Sequence, residues 1–276
     1  MTPATARLYH VDAFTAVPFA GNPAGVVVLE AAAPEPWMQA VAAELGHSET
    51  AFVVASVDGC SIRWFSPTVE VALCGHATLA AAHVLWDERL LDAAQPIAFA
   101  SMSGTLTCGL TPDGAVRMDF PIDVPQACEP PAGLVEALGV PVLAVARGRF
   151  DYLVRVADET TVQGVRPDLE RLAGVETRGV CVTAAADADD LDFVSRFFAP
   201  RIGIAEDPVT GSAHCMLAPY WASLLDRDEL RAAQQSARGG ELRVRVRGDR
   251  VELLGHAVTI TRGSIALPVS HGPAHG

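Results

Sequence analysis

The chain of 276 residues is half hydrophobic and carries a formal net charge of −13 at pH 7, which disfavours nucleic-acid binding because phosphate recognition depends on clustered Lys and Arg. No apolar run approaches the roughly 20 residues of a membrane helix, and residues 1–7 lack the basic and then hydrophobic pattern of a secretory signal. We therefore expect a cytoplasmic protein with neither nucleic acid nor membrane as a partner.

The spacing of apolar residues predicts the elements of the first half in chain order. Strands are predicted at residues 8–14, 25–29, 50–54, 62–65, 70–73, 106–110 and 116–120, the last two forming a hairpin. Helices are predicted over residues 36–45, where Gly46 supplies the C-terminal cap, and over 77–86. The second of these helices is nearly uncharged, which is typical of a helix buried on most sides.

The proline-rich segment 122–141 is the expected linker between two domains, residues 1–122 and 133–276, with a helical turn at 134–138. Beyond it, strands are predicted near 152–156, 180–183, 242–246, 251–254 and 258–260, and helices over 167–172, 188–193 and 213–225. Residues 270–276 are expected to fray. Each half thus predicts a mixed sheet curled around a central helix, an α+β fold of two pseudo-symmetric domains.

A repeated passage supports this duplication. In each copy an apolar strand pattern, which includes Val69 and Leu73 in one and Ile202 and Ile204 in the other, leads through a glycine turn into a helix. Matching residues lie 133 positions apart before the turn and 136 after it: Phe65 with Phe198, Pro67 with Pro200, Gly75 with Gly211, and Ala77 with Ala213. The second turn therefore carries three extra residues. Further upstream, Gly46–Thr50 aligns with Gly174–Arg178, which makes Thr177 the counterpart of Glu49.

Both glycine turns place backbone N–H groups at a helix start, where they lack intrahelical partners and favour an anion. If the halves pack with twofold pseudo-symmetry, the two helix starts face each other across a cleft and can hold a carboxylate from both sides. The candidate substrate-binding residues are Gly75, Ala77, Gly211, Ser212 and Ala213. The alternative is two capped helices without a ligand.

Three polar side chains are candidates for catalysis. Glu49 is a candidate base because Leu45 and Phe52 could partly desolvate its carboxylate, although an exposed Glu at a strand start is the commoner case. His76 could donate a hydrogen bond to a substrate or to Glu49, or be satisfied by backbone. Asp207 lies beside Glu206 and could act in acid–base chemistry or cap the following helix, for which Ser212 is itself a plausible N-cap.

Cysteines and histidines give no pattern for a required metal. The six cysteines form no Cys-x-x-Cys pair, and we expect most of them to be buried and reduced. Cys74 is a possible nucleophile, but buried cysteines are usually inert. The one His-x-x-x-His spacing, His271 to His275, lies in a proline-interrupted tail. No nucleotide-binding glycine motif is present, so we expect neither a metal nor another cofactor.

Several blocks together resemble the signature of the PhzF-like (phenazine biosynthesis) isomerase family. The blocks are Val11-Asp12-Ala13-Phe14-Thr15, Phe19-Ala20-Gly21-Asn22-Pro23-Ala24, Ser48-Glu49-Thr50-Ala51-Phe52, Leu73-Cys74-Gly75-His76-Ala77-Thr78 and Glu206-Asp207-Pro208-Val209-Thr210-Gly211-Ser212-Ala213. The resemblance implies the two-domain fold of diaminopimelate epimerase and a homodimer. It also implies a cofactor-independent isomerase of a small carboxylate-bearing metabolite, in which Glu49 moves a proton between carbons and His76, Asp207 and Ser212 support it.

The resemblance leaves the substrate open, because many relatives of the phenazine enzymes have none assigned. A racemising epimerase needs bases on both faces, commonly two thiols, and the offset of 133 places Asp207 opposite Cys74. A single glutamate returning the proton to the same face is therefore the preferred mechanism. The alternatives are a Cys74-dependent epimerase and a non-catalytic protein that binds a small molecule.

Overall fold

The computed structural model describes residues 4–56 and 59–268. Their helices are α1 (Glu35–Leu45), α2 (Gly75–Asp87), α3 (Leu134–Leu138), α4 (Glu159–Gly164), α5 (Leu169–Ala173) and α6 (Gly211–Leu225). The strands of the first half are β1 (Thr5–Ala13), β2 (Asn22–Leu29), β3 (Thr50–Ser56), β4 (Gly59–Phe65), β5 (Glu70–Val71), β6 (Ile97–Ser101), β7 (Gly104–Leu110), β8 (Val116–Pro121) and β9 (Gln126–Ala127). Those of the second are β10 (Ala144–Arg147), β11 (Asp151–Arg155), β12 (Gly179–Ala185), β13 (Phe193–Ala199), β14 (Ile204–Asp207), β15 (Glu229–Gln234), β16 (Gly240–Arg247), β17 (Arg250–Gly255) and β18 (Ala257–Ala266).

The strand pairings of the first half recur in the same order in the second. The antiparallel pair β1–β2 and the parallel pair β2–β3 match β10–β11 and β11–β12. The pairs β3–β4, β4–β5 and parallel β4–β6 match β12–β13, β13–β14 and parallel β13–β15. Both halves then end in an antiparallel meander, β6–β7–β8 and β15–β16–β17. The predicted α+β fold with two pseudo-symmetric halves is confirmed.

The two halves exchange their last strands. β9, which follows β8, pairs with β10 of the second half, and β18, which follows β17, pairs with the whole length of β1. The equivalent strands β8 and β17 also pair with each other, with Met118 opposite Leu253. The domain boundaries 1–122 and 133–276 stay a prediction, and in the structure the C-terminal strand lies in the sheet of the other half.

One long helix lies at the centre of each half. α2 packs against β1, β2, β3 and β8, and α6 packs against β11, β15, β16 and β17. Both are apolar nearly all round, as expected for a helix enclosed by sheet, and Leu79, Leu85 and Met216 are fully buried. The helices predicted at 77–86 and 213–225 are therefore confirmed, and each begins two residues earlier, at the glycine of its turn. None of the helices in residues 4–56 and 59–268 is both long and apolar enough to cross a membrane.

The helix predicted at residues 188–193 is wrong. Asp189 and Asp190 lie in an exposed turn, and Phe193–Ala199 is the strand β13. Every residue of β13 is buried, because its alternate side chains lie in two separate apolar clusters, Phe193 and Phe197 in one and Val194 and Phe198 in the other. A strand buried on both faces lacks the polar alternation of a surface strand, so the apolar pattern does not separate it from a buried helix.

The strand pattern before the second glycine turn also needs correction. Ile202 ends a short 3₁₀ turn, Pro200–Ile202, and is largely exposed, so that β14 begins only at Ile204. In the first half, Leu73 lies outside β5 and is also exposed. Five strands and one helix are not predicted as such from the sequence: β6, β9, β10, β13, β15 and α4. The predicted fraying of residues 270–276 lies outside the described residues.

Candidate active site

The first turns of the two central helices meet at their glycines. A Cβ atom built on Gly75 would lie 3.7 Å from the Cα of Gly211, and one built on Gly211 would lie 3.7 Å from the Cα of Gly75. The residues before them, Cys74 and Thr210, have extended backbones and make no side-chain hydrogen bond that caps the helix. The seam between the halves therefore contains two adjacent helix N-termini, the arrangement that favours an anion.

Glu49 lies beside this seam because of the turn that follows α1. Gly46 ends α1 in the left-handed conformation, with φ of 66°, and the chain then enters β3 directly after Glu49. The glutamate side chain is 18 % exposed, and its Oε2 lies 3.5 Å from Nε2 of His76, the second residue of α2. Ser48 Oγ lies 3.4 Å from the same nitrogen. The structure thus brings a carboxylate and an imidazole into contact at a largely buried position.

Cys74 lies on the other side of the same imidazole. Its Sγ is 3.5 Å from Nδ1 of His76. Burial, and then the nearby Glu49 carboxylate, raise the pKa of the Cys74 thiol well above its usual range, and Asp207 acts in the same direction. The thiol is therefore protonated at neutral pH and is a poor nucleophile. Ligand atoms of Glu49, Cys74 and His76 all lie within 4.8 Å of one another.

Asp207 is held by side chains from both halves. Asn22, at the start of β2, donates from Nδ2 to Asp207 Oδ1 at 2.9 Å and to the Val209 carbonyl. Thr210 Oγ1 donates to Oδ2, while Gln234 donates to the Asp207 carbonyl at 2.7 Å. Both carboxylate oxygens therefore accept hydrogen bonds in a fixed orientation. This network connects strand β2 of the first half to the turn before α6.

Two expectations for this turn are wrong: the shared environment of Glu206 and Asp207, and the residue that caps α6. Glu206 does not share the environment of Asp207, because it forms a two-point ion pair with Arg196. The N-cap of α6 is Thr210, so neither Asp207 nor Ser212 caps the helix. Instead, Ser212 Oγ accepts a hydrogen bond from Arg178 Nη2 at 3.0 Å.

Arg178 brings a cation to the second-half side of the seam. Its guanidinium is paired with the buried carboxylate of Asp151 through Nε and Nη2, and this pairing contributes to a raised pKa of Arg178. Beside the start of α2, in the first half, the charged and polar side chains are instead Glu49 and His76. The charge distribution of the site is therefore asymmetric, although the backbone around it is duplicated.

Strand register changes the counterparts assigned from the sequence repeat. Phe65 pairs with Thr50 and its repeat partner Phe198 pairs with Val180, so the counterpart of Glu49 is Gly179 and not Thr177. A Cβ atom on Gly179 would lie 2.2 Å from the Phe197 ring, which leaves no room for a side chain. At the N-cap of each central helix, Cys74 corresponds to Thr210 and not to Asp207. The second half thus has neither a second glutamate nor a second thiol at these positions.

Further polar residues near the site were not singled out by sequence reasoning. They are Asn22, Thr210, Gln234, Arg178, Asp151 and the histidines His10 and His47. Two of them, Asn22 and Thr210, lie inside the sequence blocks that resemble the family signature, and this position was the one sequence signal that could have identified them. The rings of His10 and His47 are 4.4 Å apart, and burial, with His10 and His76 nearby, lowers the pKa of His47 to about 4. His47 is therefore neutral at neutral pH.

The His76 imidazole contacts both the Glu49 carboxylate and the Cys74 sulfur at the seam. Two surface depressions lie elsewhere, one around Asp189 and one around Asp113, and neither is lined by Glu49, His76 or Asp207. Proton transfer at carbon requires a base shielded from water and fixed dipoles that stabilise the developing anion. This fold places the largely buried Glu49 carboxylate beside two helix N-termini at the seam of its two halves.

Comparisons with known proteins give the family. The chain belongs to the phenazine biosynthesis-like protein family (PhzC-PhzF), whose sequence model matches residues 11–263. It is 46 % identical over 264 residues to an uncharacterized isomerase of Halalkalibacterium halodurans, covering 95 % of this chain and 99 % of the relative.

Two solved structures extend the comparison. A PhzF family protein of Enterococcus faecalis superposes with a TM-score of 0.91 at 40 % identity, covering 96 % of this chain and 100 % of that one. A predicted epimerase of Pseudomonas aeruginosa has a TM-score of 0.71 at 24 % identity, over 94 % and 99 % of the two chains, and shows the shared fold. Together these relationships support an isomerase.

Proposed function

We propose that the protein is a cofactor-independent isomerase that moves a proton between two carbons of a small carboxylate-bearing metabolite, with Glu49 as the proton shuttle. The Glu49 carboxylate takes a proton from one carbon, and the electron pair left behind delocalises into an adjacent unsaturated system. The protonated Glu49 then returns the proton to a second carbon of the same molecule, so that the mass of the metabolite does not change.

The observation that carries this proposal is the contact between Glu49 and His76 beside the meeting helix N-termini. A carbon acid is difficult to deprotonate, and the developing negative charge needs preorganised hydrogen-bond donors in a water-poor site. The first-turn amides of α2 and α6, the Ser212 hydroxyl and the His76 imidazole are such donors. Gly75, Ala77, Gly211 and Ala213 are the proposed backbone contacts for the carboxylate of the substrate.

Asp207 is proposed to orient the substrate by accepting a hydrogen bond. Asn22 and Thr210 hold both of its oxygens, which leaves the remaining lone pairs in a defined direction. A hydroxyl or amino group of the metabolite is a suitable donor for them. The position of the substrate relative to Glu49 then determines which carbon loses its proton.

The absence of a symmetric second base favours the one-base mechanism over racemisation. Gly179 stands at the position equivalent to Glu49, and Thr210 stands at the position equivalent to Cys74. A Cys74-dependent epimerase is the alternative mechanism, and it is favoured if alkylation of thiols abolishes turnover while Glu49→Gln spares it. A protein that binds a small molecule without turning it over is the alternative of a different class.

The proposal also covers the partners, the oligomeric state and the location of the protein. The net charge of −13 supports a small molecule over nucleic acid as the partner, and the family resemblance supports a homodimer. A cytoplasmic location agrees with the predominance of reduced, buried cysteines.

A screen in deuterated water tests the function. A pool of cyclic and acyclic unsaturated amino and hydroxy acids is incubated with the wild-type protein. New isomers are separated by chromatography, and their molecular masses are measured by mass spectrometry. We expect at least one acid to convert to an isomer, with at most one deuterium incorporated. Retention of the original proton is also compatible, because a buried glutamate can return it before exchange. Tight binding of such acids without conversion would support the non-catalytic alternative.

A further inference from the structure

Three side chains of metal-ligand type converge at the start of α2. Glu49, Cys74 and His76 each offer one ligand atom, and these atoms lie within 4.8 Å of one another. The Sγ of Cys74 is 3.5 Å from Nδ1 of His76. A zinc ion with a Zn–S bond of about 2.3 Å and a Zn–N bond of about 2.0–2.1 Å has sulfur and nitrogen about 3.5 Å apart when the geometry is tetrahedral. The observed separation therefore already suits a bound metal ion.

The surroundings also suit a cation bound through sulfur. The carboxylates of Glu49 and Asp207 both act electrostatically on the Cys74 sulfur, so that a cation bound there is surrounded by negative charge. In the structure Nε2 of His76 lies 3.4 Å from Ser48 Oγ and 3.5 Å from Glu49 Oε2. Metal binding at Nδ1 therefore requires the Glu49 carboxylate to turn from Nε2 toward the ion, while Ser48 Oγ keeps its contact with Nε2. Such an outer hydrogen bond orients a metal-bound imidazole.

We propose that Glu49, Cys74 and His76 form a reversible binding site for a thiophilic divalent cation such as Zn²⁺, with water at the fourth position. As the sulfur–metal bond forms, the S–H bond of Cys74 breaks and its proton passes to solvent. The ion occupies the carboxylate that is the proposed base, so the site is inhibitory and competes with proton transfer. It goes beyond the proposed isomerase activity, which requires no metal.

Cobalt provides the direct test, because a Co²⁺–thiolate bond has a charge-transfer band in the near ultraviolet and tetrahedral Co²⁺ has strong visible bands. The full-length protein is treated with a chelator, dialysed and titrated with CoCl₂, and then with ZnCl₂ as a competitor. We expect one Co²⁺ per chain, with both sets of bands, and displacement by Zn²⁺. In Cys74→Ser the charge-transfer band should be lost, and in Glu49→Gln binding should weaken by about tenfold or more.

Cys128→Ser is the matched control, because Cys128 is the exposed cysteine and its loss should leave both bands unchanged. Circular dichroism verifies that each variant is folded. X-ray absorption of the zinc-loaded wild type adds a measurement without mutation, and we expect one sulfur and three nitrogen or oxygen neighbours. A cobalt spectrum without a charge-transfer band, or one unchanged in Cys74→Ser, would overturn the proposal. These readouts need no turnover, so they are independent of whether Glu49 is the shuttle.

Discussion

Gly75 and Gly211 lie back to back at the seam of the two halves, and the Cα of each is 3.7 Å from where a Cβ on the other would stand. This contact places the first turns of α2 and α6 side by side. Because each half supplies one of the two glycines, the candidate anion site exists only when both halves are assembled. The duplication of the chain is therefore directly connected to the construction of the site.

The glycine contact predicts a graded response to substitution. A single methyl group fits at an ordinary van der Waals distance, so Gly75→Ala and Gly211→Ala should each change the free energy of unfolding by about 1 kcal/mol or less. Gly75→Val overfills the contact and should cost about 1–3 kcal/mol. In the double alanine variant the two methyl groups face each other, and we expect a coupling energy of about 0.5–3 kcal/mol. Urea unfolding of the four variants measures this, and strictly additive effects would contradict the contact.

The hydroxyl of Thr210 is predicted to stabilise the protein through Asp207. Thr210→Val keeps the shape of the side chain but leaves a carboxylate oxygen without its donor, and should destabilise the protein by about 1–3 kcal/mol. Thr210→Ser keeps the hydroxyl and removes only a methyl group, so its cost should be about 1 kcal/mol or less. Equal destabilisation by the two substitutions in urea unfolding would mean that the hydrogen bond to Asp207 is not important for stability.

His214 predicts a pH dependence of stability in the acid range. It is fully buried in α6, and its Nδ1 donates to the Thr210 carbonyl at 2.9 Å. Burial lowers the pKa of His214 to about 4, against about 6.5 in an unfolded chain. The unfolded chain therefore takes up the proton first as the pH falls. The stabilisation from this group is complete above pH 6.5 and is lost between pH 6.5 and about 4.

The variant His214→Asn isolates this effect, because its amide can still donate to the Thr210 carbonyl but does not titrate. The difference in unfolding free energy between wild type and variant should shrink by roughly 1.4 kcal/mol per pH unit from pH 6.5 down to about 4. Urea unfolding at half-unit pH intervals measures it. A difference that stays constant over this window would show that His214 titrates normally in the folded protein.

Local sequence signals predicted the parts of the site that depend on one segment. The glycine turns, α2, α6, Glu49 and His76 all follow from motifs or apolar spacing within a few residues. The bond from Asn22 to Asp207 joins residues 185 positions apart, and no local pattern encodes such a pairing. The counterpart of Glu49 was misassigned for a related reason, because only the strand register shows how the loops before β3 and β12 differ in length.

Cysteine accessibility gives a further prediction. Cys128 is exposed, whereas Cys60, Cys74, Cys108, Cys181 and Cys215 are buried. A colourless thiol reagent with a coloured product should therefore modify one thiol per native chain rapidly, and six in urea. In Cys128→Ser the rapid phase should disappear. Two or more rapidly reacting thiols in the native wild type would show that a further cysteine is accessible.

The most direct test of the central claim compares the rate of isomer formation by wild type, Glu49→Gln and Glu44→Gln. Glu44 is exposed on α1 and serves as a matched control of equal charge change. For any acid that the wild type isomerises, Glu49→Gln should be slower by about 10² to 10⁴, while Glu44→Gln should match the wild type. Turnover by Glu49→Gln at the wild-type rate would contradict the assignment of Glu49 as the proton shuttle.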